Sequence, residues 1–148
     1  MADQDAENRV AAVVIMAAGA GTRMRSAIPK VLHRIAGKSM VALAIDTADA
    51  LSPDRLVVVV GHQRELVTEH LAEIAPHVTI AVQERPMGTG DAVRAGLAAI
   101  PGVAGEVVVT SGDVPLLAAE TLLDLVAAHR EGGNAVTVLT AVVPDPTG

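Results

Sequence analysis

Two hydrophobic periods alternate along this sequence and limit what it can fold into. β-Branched apolar runs occupy residues 10–16, 56–60, 78–82, 107–110 and 135–143. Most lack polar alternation, which predicts strands covered on both faces. Between them, apolar residues fall at helical spacing, first Met40, Val41, Ala44, Ile45 and Ala48, then Leu66, Val67, Leu71 and Ile74. The spacing recurs at Val93, Gly96, Leu97 and Ile100, and at Leu122, Leu123, Val126 and His129. Strand alternating with helix predicts a mostly parallel sheet with right-handed crossovers, hence a doubly wound α/β layer. About forty residues separate the first two strands, against ~30 for a minimal βαβ unit. The excess lies at residues 19–37, at the carboxyl edge where such sheets bind ligands.

The 148 residues suit one domain, and the core must be thin, because 27 Ala and 23 Val stand beside no Phe, Tyr or Trp. Absence of Cys removes disulfides, thiolate metal sites and Cys nucleophiles, and fits a reducing compartment. The uncharged stretch at 10–21 is too short to cross a bilayer, and residues 1–8 are acidic rather than signal-like. We therefore expect a cytoplasmic protein without a membrane partner, with a disordered tail at 1–8 and the domain at 9–148. The motif Pro144-Asp145-Pro146-Thr147-Gly148 is turn chemistry with no closing helix, so the domain reads as truncated at its C-terminus.

A net charge of −6 argues against a nucleic-acid partner. The charge is unevenly spread. Arg9, Arg23, Arg25, Lys30, Arg34 and Lys38 fall in a stretch without Asp or Glu. A concentrated positive field beside glycines suits a compact anion such as a polyphosphate.

The first strand runs into Ala17-Ala18-Gly19-Ala20-Gly21-Thr22-Arg23-Met24. Small residues let backbone approach a ligand, and glycines turn several N–H groups toward one anion. The dinucleotide fingerprint fails at Met24, and no acidic residue closes the second strand at Gly61-His62. The Walker pattern fails because Leu32 stands where the first glycine before Gly37-Lys38-Ser39 is required.

What remains, Gly19-x-Gly21-Thr22-Arg23-Met24 followed by Pro29-Lys30, resembles the signature of the sugar-phosphate nucleotidyltransferases (pyrophosphorylases). Within them, Val31-Leu32-His33, Ala36-Gly37-Lys38-Ser39-Met40, Gly61-His62, Val82-Gln83, Gly88-Thr89-Gly90, Gly112-Asp113-Val114-Pro115-Leu116 and Asp145-Pro146-Thr147-Gly148 resemble the uridylyltransferase region of the bifunctional N-acetylglucosamine-1-phosphate uridylyltransferase/glucosamine-1-phosphate acetyltransferases. The resemblance covers the chain after its first eight residues and implies a Rossmann-like nucleotidyltransferase fold. It implies Mg²⁺-dependent transfer from UTP to N-acetylglucosamine 1-phosphate, giving UDP-N-acetylglucosamine, a cell-wall precursor, and pyrophosphate. The implied nucleotide- and substrate-binding residues are Met16, Ala17, Ala18, Gly19, Gly21, Thr22, Lys30, Gln83, Gly88, Thr89, Ser111, Gly112 and Asp113. The resemblance also implies that Arg23, Lys30 and Asp113 carry the catalytic work, with Asp113 as the Mg²⁺ ligand.

The residues themselves suit that chemistry. An ionised phosphate nucleophile needs no general base, so the protein must supply alignment and positive charge. Arg23, Lys30 and the loop N–H groups fit, and the alternative for Lys30 is a solvated surface lysine. Asp113 follows the strand at 107–110 and offers a hard carboxylate oxygen, otherwise a helix N-cap or Asx-turn before Pro115. Gln83 has both donor and acceptor for a uracil edge, otherwise it is an exposed polar residue at a strand end. Ring stacking on the base is impossible without aromatics. Gly19–Arg23, Gln83 and Asp113 follow the first, third and fourth strands, so a parallel sheet brings all three to one edge. The five histidines lack metal-ligand spacing.

Met16 stands where the family usually has Leu, and Ser111 where many relatives have Tyr. The family's domain continues beyond Gly148 with further sugar contacts and a second Mg²⁺ ligand. Its trimers form through a hexapeptide-repeat β-helix that has no counterpart here, so neither acetyl transfer nor an oligomer is expected. The alternatives are a MobA-like guanylyltransferase or hexose-1-phosphate nucleotidyltransferase of the same fold, or a non-catalytic nucleotide-binding fragment.

Overall fold

A computed structural model describes residues 9–144. The expected tail at 1–8 and most of the C-terminal turn, 145–148, lie outside the described residues. The chain runs β1 (Ala12–Ala17), β2 (Arg34–Ile35), β3 (Lys38–Ser39), α1 (Met40–Asp49), β4 (Arg55–Val60), α2 (Arg64–Ile74), β5 (Thr79–Val82), α3 (Thr89–Ala98), β6 (Val107–Ser111) and α4 (Ala119–Gly132). The main sheet has the order β5-β4-β1-β6, with every pair parallel. Its register sets Ala17 beside Val60 and Met16 beside Ser111.

Continuous apolar strands place side chains on both faces, and both faces are covered. Val13 and Ile15 join Val58, Val60, Val41, Ile45, Val67, Leu71, Leu122 and Val126 on the face that carries α1, α2 and α4. Ala12 and Val14 join Val57, Val59 and Ala81 beneath Ala92 of α3 on the other. Each fully buried Val contributes about 1.5–3 kcal/mol relative to exposure. α3 lies close to the sheet because Gly96 has no side chain, and a Cβ there would come within 2.9 Å of Val14 Cγ1. The face of α3 against the sheet is the one that carries Ala92 and Gly96, which are buried, while Leu97 is exposed. α2 likewise buries Val67 and Leu71 and exposes Leu66 and Ile74.

The fifth β-branched run is not a strand. Residues 135–143 have no regular structure, and Val136, Val138 and Val142 are exposed. Residues 135–137 and the strand Val107–Val109 border a cavity of about 460 Å³ instead of forming a ladder. Without a paired edge, β-propensity alone does not make a strand.

Successive crossovers from β1 lead to β4 and then β5, and α3 returns the chain past β1 to β6. The order in which strands are added therefore reverses between β1 and β6, where a doubly wound sheet leaves a crevice at its carboxyl edge. The insertion after β1 lies there as two 3₁₀ turns, Thr22–Met24 and Lys30–Leu32, followed by the β2–β3 hairpin. Ser39 ends the insertion and caps α1, its Oγ accepting from the Ala42 N–H at 3.2 Å.

Candidate active site

A cleft of about 430 Å³ opens at the carboxyl ends of β1, β5 and β6. β1 and the turn after it supply Met16, Ala17, Ala18, Gly19, Gly21, Thr22 and Arg23 to its wall, and the second 3₁₀ turn supplies Lys30. Gln83 enters after β5, Gly88 and Thr89 at the start of α3, and Ser111 and Asp113 at the end of β6. Gly112 lies behind the wall, its N–H donating to the Met16 carbonyl at 2.9 Å and holding the β1 and β6 ends together. Met24, Val31, Pro86 and Ala92 also line the cleft. Spacing gave none of the four a role at the site: Met24 and Val31 entered through the motifs alone, and Ala92 reads as a core-facing residue of α3.

Lys30 is fixed by its surroundings. Its neighbour Val31 is buried in the core, which anchors the turn. Gly21 has φ +59°, and a Cβ on it would come within 2.7 Å of Lys30 Cβ. The glycine turn and the lysine stem therefore pack directly together, and a side chain at position 21 would force them apart.

The head group of Lys30 donates to Asp113 Oδ2 at 2.6 Å, and Ser111 Oγ donates to Oδ1 at 2.5 Å. Lys30 first and Ser111 second hold the Asp113 carboxyl below its ordinary value of 3.8, against the opposing effect of burial. Both side chains of the pair are about one-third exposed (34% and 35%), so a ligand can reach them. Lys30 is thus not a free surface lysine. Asp113 is not a helix cap either, since α4 begins at Ala119 with Ala118 at its N-cap.

Gln83 is 9% exposed, so it is no solvated strand end. Its backbone N–H extends the β4–β5 ladder to the Val60 carbonyl at 2.8 Å. Its Nε2 donates to the Gly88 carbonyl at 3.1 Å and to Asp91 Oδ2 at 2.9 Å. Asp91 was not legible as part of the site, because an acidic residue in a first helical turn reads as an ordinary complement to the helix dipole. Hydrogen bonds from Gln83 and Arg94 hold its carboxyl below the ordinary value.

The basic stretch does not act as one patch. Arg9 pairs with Asp54, and Lys38 pairs with Asp46 at 2.5 Å. Arg23 and Lys30 are the cations at the cleft wall. Among the described residues no group of three or more His, Cys, Asp or Glu is placed to hold a metal ion. Among the described residues Asp113 is the one carboxylate lining the cleft. No described helix is long and apolar enough to cross a membrane.

Residues 13–145 match the model of the MobA-like NTP transferase domain. The chain belongs to that family. The matched NTP transferase segment contains every residue of the cleft. The chain is 61% identical over 141 residues to the bifunctional protein GlmU of Streptomyces coelicolor, covering 95% of this chain and 29% of that protein. It is 58% identical over 139 residues to the bifunctional protein GlmU of Cutibacterium acnes, covering 94% and 33%. The chain thus spans about a third or less of the length of these curated relatives. The crystal structure of Rv0371c from Mycobacterium tuberculosis superposes with a TM-score of 0.70 at 22% identity, covering 83% of this chain and 62% of that one. Its manganese complex superposes at 0.66 with 23% identity, covering 81% and 59%. These structures share the fold of the NTP transferase domain described here.

Proposed function

We propose that this chain carries the nucleotide-binding part of a nucleotidyltransferase that moves the uridylyl group of UTP to N-acetylglucosamine 1-phosphate. A phosphate oxygen of the sugar phosphate attacks the α-phosphorus. The bond from that phosphorus to the bridging oxygen breaks, and pyrophosphate leaves with the electron pair. UDP-N-acetylglucosamine is the other product. The nucleophile is already ionised, so no side chain need remove a proton. The work left to the protein is alignment and charge compensation at the phosphates. The N–H groups of the Gly19–Arg23 turn, with Arg23 and Lys30, suit that work, and Gln83 with the Gly88–Thr89 backbone suits the base.

The observation that carries this reading is the meeting of Lys30 and Asp113 at 2.6 Å, between the glycine turn and Gln83. It joins a cation suited to a triphosphate to the one carboxylate that lines the cleft among the described residues. Mg²⁺ commonly takes one or two carboxylates and fills its remaining positions with phosphate and water oxygens, so the donor set fits a cation that arrives with the nucleotide. Bound there, Mg²⁺ would offset charge on the phosphates and on the departing pyrophosphate. A cytoplasmic location accords with these substrates.

The test is pyrophosphate release by the purified chain with UTP, N-acetylglucosamine 1-phosphate and Mg²⁺. Release that requires all three supports transfer. Nucleotide binding without release would make the chain a binding module, and absence of binding would remove the nucleotide reading. GTP, CTP and dTTP in place of UTP separate the uridylyl reading from a MobA-like guanylyltransferase or a hexose-1-phosphate nucleotidyltransferase that uses another nucleotide.

A further inference from the structure

The hydrogen bonds around Gln83 restrict what that side chain can offer a base. Its Nε2 contacts two groups, the Gly88 carbonyl at 3.1 Å and Asp91 Oδ2 at 2.9 Å. A carbonyl and an ionised carboxylate accept hydrogen bonds and cannot donate them. The amide must therefore turn its NH₂ toward both, and each of its two hydrogens has a partner inside the protein. Inverting the amide would set Oε1 against two acceptors. Among the described residues Oε1 itself has no hydrogen-bond partner, and Gln83 lines the cleft.

Asp91 holds this arrangement firmly. Its side chain is 20% exposed, lies in the first turn of α3, and is held from the other side by Arg94 at 2.5 Å. The same carboxylate makes the start of α3 unfavourable for a phosphate and leaves its N–H groups to a neutral carbonyl. The surface offered to a base is thus one acceptor, Oε1, beside backbone donors. Uracil has a ring N–H flanked by carbonyl oxygens, which complements that surface. Cytosine in the same ring position brings a lone pair at N3 against Oε1.

We infer that Asp91 is a positioning residue: by locking the Gln83 amide as an acceptor, it makes the cleft select uracil over cytosine. The inference rests on the nucleotide reading above and assigns its base preference to a residue outside the cleft wall.

Binding of UTP and CTP to the purified chain, measured by equilibrium dialysis with Mg²⁺, tests it. Asp91→Asn can donate to Oε1 and leaves the Gly88 carbonyl as the one group opposing the inverted amide, so the UTP-to-CTP affinity ratio should fall severalfold, to about tenfold. Asp91→Glu keeps an acceptor-only partner and should retain most of the ratio. In the nucleotide-free protein, the Gln83 side-chain amide protons should exchange slowly by ¹⁵N NMR, and faster in Asp91→Asn. An unchanged ratio in Asp91→Asn, or equal weakening of both nucleotides, overturns the positioning role while leaving the nucleotide site standing. If the unmodified chain binds neither nucleotide, the parent reading fails and this one with it.

Discussion

Lys30 Nζ and Asp113 Oδ2 lie 2.6 Å apart although 83 residues separate them in the chain. Their meeting is set by the sheet. β1 and β6 are neighbours in parallel register, so the turn after one faces the loop after the other. In the free protein each charge satisfies the other, and on the proposed reading a triphosphate with its divalent cation would compete for both. Lys30→Ala should therefore weaken UTP about 10- to 100-fold, the scale of one charge-assisted hydrogen bond, whether or not metal is present. Asp113→Asn should weaken only the metal-dependent component. Titration calorimetry with and without a chelator separates the two. Unchanged affinity in both variants would remove the proposed site.

The same pair sets an acid limit. The Asp113 carboxyl is held below its ordinary value of 3.8, chiefly by Lys30 and then by Ser111. The folded protein thus binds a proton there less readily than the unfolded chain. Stability from this group is fully present above about pH 4 and declines as pH falls through the depressed value. Solvent screening of a pair one-third exposed keeps the amount small. Urea denaturation between pH 3 and 6 should show a shallower acid-side decline in Lys30→Ala than in the unmodified chain. Parallel declines would show that the pair carries no such linkage.

How much could be read in advance depended on how local the cause was. Helix Met40–Asp49 is legible because Met40, Val41, Ala44, Ile45 and Ala48 form one apolar face, and all five are buried. Four strands were legible because β-branched runs covered on both faces have few other stable arrangements. The run at 135–143 has the same composition, but a strand also needs a paired edge, and composition does not encode one. The gathering of Gly21, Gln83 and Asp113 followed from parallel topology, whereas Lys30 was expected there from the acid-free basic stretch and the resemblance. The roles of Ser111 and Asp91 as hydrogen-bond partners did not. Those depend on side-chain positions across loops, which spacing does not report. The scattering of Arg9 and Lys38 to Asp54 and Asp46 was hidden for the same reason.

Gly21 supplies a test of the packed turn. At φ +59° an alanine carries about 1–2 kcal/mol of backbone strain, and its Cβ would meet Lys30 Cβ at 2.7 Å. Gly21→Ala should displace Lys30 and reduce UTP affinity by about tenfold or more while the sheet remains folded. Far-ultraviolet circular dichroism and nucleotide titration on the same sample check this. Normal affinity in a folded Gly21→Ala protein would mean that the turn does not need its present shape to hold phosphate.

Gly96 sets two effects against each other. Replacing a helical glycine by alanine ordinarily stabilises by about 1 kcal/mol. Here the added Cβ would lie 2.9 Å from Val14 Cγ1 and 3.1 Å from Val59 Cγ2. Both valines are fully buried in the two central strands, so neither can turn away without disturbing its neighbours. Overpacking of that kind costs about 1–3 kcal/mol, which outweighs the gain. Gly96→Ala should therefore lower the melting temperature by a few degrees, and Gly96→Val by more. α3 carries Gly88, Thr89 and Asp91 at its start, so lifting it from the sheet should also loosen the hold on Gln83 and weaken UTP. A melting temperature raised by Gly96→Ala would show that α3 has slack against the sheet, and that the close approach at Gly96 does not position the base-facing end of the cleft.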